Sequence, residues 1–171
     1  MAVEAGPAKL AKAPKATKAP ASGAAAAPRA PARRAGVAKP AESQPLLLDT
    51  HALLWWLLDS PELSLGARQA IADPARRVLV SAATAWELAT KFRIGMLPQA
   101  ENIVVNLSQY LRKQRFEALP ISMNHALLAG RLPGPHRDPF DRMLMAQAQI
   151  EQALVVTVDP VFGEYGLAVV W

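Results

Sequence analysis

"LLLDTHALLWWLL", residues 46–58, decides the fold. Three leucines in a row read as a short strand covered on both faces. Asp49 follows at once. The apolar run Ala52–Leu58 then continues at helical length until Pro61, in "DSPE", breaks it. A buried strand, an acid at its carboxyl end and a helix together suggest the opening unit of a parallel α/β sheet. In such sheets ligands collect outside the carboxyl ends of the strands. The reading of Asp49 therefore depends on whether other acids reach the same edge.

The same grammar recurs downstream. "SLGARQAIAD", 64–73, puts a capping serine ahead of a helical face, and "RVLVS", 77–81, is a second strand. Ser81 can cap the helix "AATAWELATKFRI", which ends at Gly95. Residues 101–115 form an amphipathic helix with apolar positions three and four apart. "FEALPIS", 116–122, is a third strand weakened by Pro120, and "MNHALLAGRL" is helical. After the breaker-rich loop "PGPHRD", 133–138, Asp138 and Pro139 form an N-cap and first-turn pair for "PFDRMLMAQAQIEQA". Strand "LVVTV", 154–158, a turn at Asp159-Pro160, a short helix and a last strand "LAVVW" complete the body. Alternating short apolar strands and helices imply a parallel α/β sandwich, α/β/α in layers.

The chain divides by composition. Residues 1–45 are mostly Ala, Pro and Lys, lack aromatics, and carry eight basic residues against two acidic, a net +6. Residues 46–171 carry eleven basic against twelve acidic, a net −1, so the basic pI of 9.9 belongs to the extension and not to the body. Such an extension cannot bury enough apolar surface to offset its ordering entropy and is expected to be disordered. It is either a passive low-complexity tail, which includes a start codon set too far upstream, or a loose attractor of nucleic-acid phosphates. No apolar segment follows its lysines, as a secretory signal would require. The chain has no cysteine and no run long enough for a membrane span, so a soluble cytoplasmic protein without disulfides or thiolate metal sites is expected.

Asp49 and Asp159 close strands, Asp138 and Asp141 open the helix before the strand ending at Asp159, and Glu87 sits in the otherwise apolar "TAWELA". Each has a plain structural reading. Asp138 and Asp159 can cap helices, Lys91 can pair with Glu87 four residues on, and Arg137 or Arg142 can bridge the aspartates. Gathered together, however, these carboxylates repel and take up protons unless a cation sits among them. All-oxygen donors point to Mg²⁺ or Mn²⁺, with water left available as a nucleophile. A phosphate-receiving signalling domain also ends strands in Asp. It needs a pair of acids ahead of its acceptor and a lysine near the end of its last strand, and neither is present.

The stretches "LLLDTHALLWWL", "SAATAWELATKFRIGML", "HRDPFDRMLMAQAQ" and "LVVTVDPVF" together resemble, in order, the motifs of PIN-domain ribonucleases, most closely the VapC-type toxins of bacterial type II toxin–antitoxin pairs. The resemblance spans nearly all of 46–171. It implies a PIN-like sandwich and an Mg²⁺-dependent endoribonuclease (Mn²⁺ substituting) with an acidic quartet. Asp49 matches the acid after the first strand, Glu87 the helical acid, and Asp159 the last acid, with Thr157 beside it. The third acid is Asp141, nearer by spacing, or Asp138. Arg137, Arg142 and Lys91 are candidate phosphate contacts. His51 reads more readily as a hydrogen-bond partner than as a chemical participant, and Trp55, Trp56 and Trp86 as core or dimer surface more than as base platforms. The resemblance further implies an RNA substrate, a homodimer and a cognate antitoxin, for which the "ALLWWLL" helix is a candidate contact. The alternatives are a non-catalytic PIN-fold RNA-binding or scaffold module and a nuclease acting on DNA.

Overall fold

The computed structural model describes residues 44–171. The expected disordered extension, 1–45, lies outside the described residues except for Gln44 and Pro45. Pro45 already belongs to the body, since its carbonyl accepts a hydrogen bond from the Leu154 amide (2.9 Å).

Five strands form one parallel sheet in the order β3-β2-β1-β4-β5: β1 (Leu46–Leu48), β2 (Val78–Ser81), β3 (Glu117–Leu119), β4 (Leu154–Val156) and β5 (Val169–Val170). The helices between them are α1 (Thr50–Leu57), α2 (Leu65–Ala72), α3 (Ala82–Arg93), α4 (Glu101–Gln114), α5 (Met123–Arg131), α6 (Pro139–Glu151) and α7 (Val161–Glu164). One 3₁₀ turn, Pro98–Ala100, leads into α4.

The period-2 geometry of β1 divides the core. Leu46 and Leu48 point to one face with Val78, Val80 and Val156, where α1, α2 and α4 cover them through Leu53, Ile71, Ile103 and Leu111. Leu47 points to the other face with Leu79 and Val155, against Leu144, Met145 and Phe162 of α6 and α7. All three leucines are fully buried, which explains the unbroken apolar run. The layers are therefore α/β/α, as the alternation of elements implies.

The caps behave as the residue types dictate. Ser64 accepts from the Ala67 amide and Ser81 from the Ala83 amide. Ser122 and His125 form a reciprocal capping box at α5. Gly95, at φ +79°, supplies the left-handed turn after α3. Two expectations need correction. The fourth strand stops at Val156, not Val158, because Thr157 turns its hydroxyl onto the Asp159 amide (3.0 Å) and the chain leaves the sheet. The third strand stops at Leu119, not Ser122. In the "ALLWWLL" stretch, the first turn faces the core and Leu58 at the end is exposed. Ala52, Leu53 and Leu54 are buried, and Trp56 packs on Phe116 and donates from Nε1 to Gln114 Oε1 (3.2 Å).

Candidate active site

Chain order turns back at β1. The sheet grows from β1 through β2 to β3, then resumes on the other flank with β4. This is a topological switch point, where parallel sheets open a crevice beyond their strand ends. Asp49 leaves β1 there, its amide still donating to the Val156 carbonyl (3.2 Å). Thr157 and Asp159 leave β4 beside it. Asp49, Glu87, Asp138, Asp141 and Asp159 all line one cavity of about 570 Å³, joined by Lys91 and His51. The acids read separately from the sequence thus share one address.

Their local partners show how each is held. Asp49 is buried, and its Oδ1 caps α1 by accepting from the Ala52 amide (2.6 Å). Burial raises its carboxyl above the ordinary 3.8, with that amide and the Thr157 hydroxyl opposing the rise and Glu87 adding to it. Glu87, also buried, receives the Thr50 hydroxyl on Oε2 (2.5 Å) and the Lys91 ammonium on Oε1 (2.5 Å). The plain reading of Lys91 is therefore realised inside the cavity. Asp159 takes the Val161 amide (2.9 Å) in a tight turn. Asp138 is exposed and caps α6 through the Phe140 and Asp141 amides (2.8 and 3.3 Å). Asp141 is half-buried, and its Oδ2 lies 2.8 Å from His136 Nε2. Burial raises its carboxyl too; Asp138 and Glu87 push the same way while His136 opposes.

Three sequence expectations change here. The acids do not converge into a ready-made cage: among the described residues no three acids or imidazoles stand close enough to grip an ion. Asp49 and Asp138 are tied to helix starts, Asp159 to a turn, Glu87 to Thr50 and Lys91, and Asp141 to His136, which spreads the set around the cavity. Arg142 does not bridge the aspartates. Its three guanidinium nitrogens donate to the carbonyls of Ala129 (3.0 Å), Leu132 (2.5 Å) and His136 (3.0 Å), so it secures the loop before α6 instead of waiting for phosphate. Trp56 belongs to the core, whereas Trp55 lines the cavity and Trp86 stands 60% exposed, edge-on to Phe140. His51 is exposed at the rim, and Arg137 is exposed one residue before Asp138. Two partners escaped the sequence reading. Thr50 was hidden by its place next to Asp49, and His136 by lying in a loop that reads only as a breaker segment.

The donor set is compatible with a divalent metal of one kind. All candidate ligands are oxygens; among the described residues only Glu87 of the five acids pairs with a lysine or arginine and only Asp141 with an imidazole, and the cavity leaves room for waters. Mg²⁺ keeps several waters and takes only one or two direct carboxylates, so a spread set suits it better than it would suit a metal needing a closed cage.

A family model of the PIN domain matches residues 46–167. Among solved structures, VapBC2 from Rickettsia felis, bound to a DNA fragment from its promoter, aligns with a TM-score of 0.56 at 18% identity, covering 72% of this chain and 96% of that one. FitAcB from Neisseria gonorrhoeae aligns at 0.56 and 21% identity, covering 72% and 95%. VapC20 from Mycobacterium tuberculosis, described as a sarcin-ricin-loop-cleaving toxin, aligns at 0.55 and 12% identity, covering 72% and 96%. These identities speak to the fold alone. No curated protein matches the chain.

Proposed function

This chain belongs to the PIN-domain family, and from that premise we propose that it is a Mg²⁺-dependent endoribonuclease, the toxin of a toxin–antitoxin pair. The observation that carries the reading is the gathering of five acids, two of them buried, around one cavity at the switch point of the sheet.

In this reading Asp49 and Asp141 are the direct ligands, since both are partly or fully withdrawn from solvent and retain an oxygen to offer. Mn²⁺ can substitute for Mg²⁺. When bound, the ion acidifies a water for attack on phosphorus and offsets the charge of the phosphate. Glu87 and Asp159 orient waters around it. Thr157 braces the turn that delivers Asp159. Lys91, already inside the cavity, is placed to exchange Glu87 for a phosphate oxygen, and exposed Arg137 offers a second contact. Asp138 serves first as the cap of α6. The net −1 of residues 46–171 gives the body little long-range pull on a polyanion, so binding there rests on local contacts.

The toxin role extends to this chain what VapC20 is described as doing. A cognate antitoxin and a homodimer belong to the same proposal, and co-purification with the neighbouring gene's product and light scattering test them. For the chemistry, the full chain is incubated with structured RNA and with DNA of matched sequence, in Mg²⁺ or in EDTA. We expect RNA to be cut in Mg²⁺ only, and Asp49→Asn to abolish cutting. Cleavage that survives EDTA or Asp49→Asn overturns the metal site. Preference for DNA selects the alternative nuclease, and no cleavage of either selects the scaffold reading.

A further inference from the structure

The loop between α5 and α6 is fastened more heavily than a connector needs. Arg142 holds it at both ends, through the Leu132 and His136 carbonyls, and ties it to the last turns of α5 through Ala129. Tyr165, just past α7, accepts the His136 amide on its hydroxyl (3.2 Å) and sets its ring edge-on to the imidazole, 6.4 Å between centroids. The loop comes so close to Tyr165 that a Cβ on Gly134 would sit 2.4 Å from the hydroxyl oxygen. His136 is thus fixed by its N–H and its ring on Tyr165 and by its C=O on Arg142 of α6. Beyond these anchors its Nε2 meets Asp141 Oδ2 at 2.8 Å.

Asp138 has no such support. Its Oδ1 is occupied by two backbone amides of its own helix, and the residue is exposed. We propose that His136, clamped by Arg142 and Tyr165, is a positioning residue that selects Asp141 over Asp138 as the third acid and presets it for a divalent cation. This rests on the metal-nuclease reading above. With Nε2 donating to Oδ2, the aspartate keeps one orientation and its other oxygen has no hydrogen bond among the described residues. A carboxylate without such a partner rotates freely. A fixed N–H removes the rotation before an ion arrives. Partners that orient a ligand in this way typically change metal affinity by about 10–100-fold when removed.

The test uses the full chain with Mn²⁺ as the probe, titrated by calorimetry without RNA, alongside steady-state RNA cleavage. His136→Ala is expected to weaken Mn²⁺ binding about tenfold or more and to lower kcat while leaving KM for RNA unchanged. His136→Gln, whose amide nitrogen reaches a similar position, restores most of both. Tyr165→Phe, which frees the His136 amide without touching Asp141, weakens Mn²⁺ binding severalfold and serves if His136→Ala does not fold. Asp141→Asn loses Mn²⁺ binding and Asp138→Asn keeps it. If the unaltered chain binds Mn²⁺ and cuts RNA while His136→Ala and Tyr165→Phe match it, the positioning role is wrong and the nuclease reading stands. If Asp138→Asn loses as much as Asp141→Asn, the selection is wrong. If the unaltered chain neither binds Mn²⁺ nor cuts RNA, the nuclease reading falls and takes this inference with it.

Discussion

At the scale of single residues, the site carries an electrostatic cost that stability measurements can read. Burial raises the Asp49 carboxyl above 3.8, so the folded chain holds that proton more tightly than the unfolded chain does. Its stabilising share is complete below the unfolded value and is lost as pH rises through the raised folded value. At neutral pH the ionised group therefore destabilises the fold. Asn keeps the cap on α1, because its side-chain oxygen also accepts from the Ala52 amide. Asp49→Asn should then be more stable than the parent at pH 7, with the gap shrinking as pH falls through the raised folded value and gone below the unfolded one. Urea denaturation across that range checks it, and a variant less stable at pH 7 contradicts the sign. Lys91 works the other way. Lys91→Met leaves the buried Glu87 with only the Thr50 hydroxyl and should cost roughly 1–3 kcal/mol, discounted because Lys91 is partly exposed. Added Mg²⁺ should restore more stability to this variant than it adds to the parent, as thermal shift with and without the ion will show. These acids were visible in the sequence because carboxylates at strand ends and in an apolar helix are costly without a reason. Thr50 and His136 were not visible, since a hydroxyl or an imidazole in a loop is unremarkable until its partner is brought beside it by the fold.

At the scale of elements, the loop from Leu132 to Asp138 is held from both sides by Arg142 and Tyr165. Gly134 has φ +99° and Tyr165 directly beneath it. Gly134→Ala meets both backbone strain and a clash, and should lower stability by roughly 1–3 kcal/mol. Adding Tyr165→Phe relieves the clash with the hydroxyl but leaves the ring carbon at 2.9 Å and the strained φ, so the double variant recovers only part. Thermal melts of the two single variants and the double settle this, and full recovery in the double would show that the backbone conformation carries no strain. The helices themselves were legible to within a residue or two, because serine, aspartate–proline and glycine mark their ends for reasons local to the backbone. The end of β4 was less so. "LVVTV" is uniformly strand-forming, and only the Thr157 hydroxyl reaching the Asp159 amide ends it early. The tryptophan partners of α1 were hidden for a similar reason: Trp55 packs on Trp171 and Trp56 on Phe116, both distant in sequence.

At the scale of the whole molecule, charge and fold are separately distributed. The first 45 residues hold the net positive charge, and the body holds the sheet and the acids. If the extension meets RNA, deleting residues 1–43 from Asp49→Asn should flatten the dependence of RNA binding on salt, by about 0.7 in log–log slope for each phosphate the extension had neutralised, and leave the melting temperature unchanged. An unaltered slope makes the extension a passive passenger. The α/β/α class was legible from the alternation alone, but strand order was not, since nothing local says that β4 returns to the open flank of β1. That order bears on how the protein is made. β1 pairs on one side with β2, which follows soon after it, and on the other with β4, far along the chain, before Asp159 arrives. A nascent chain on the ribosome therefore carries an unfinished sheet through most of its synthesis, since such distant pairings close late. The acid-lined cleft is therefore completed only when almost the whole domain has emerged.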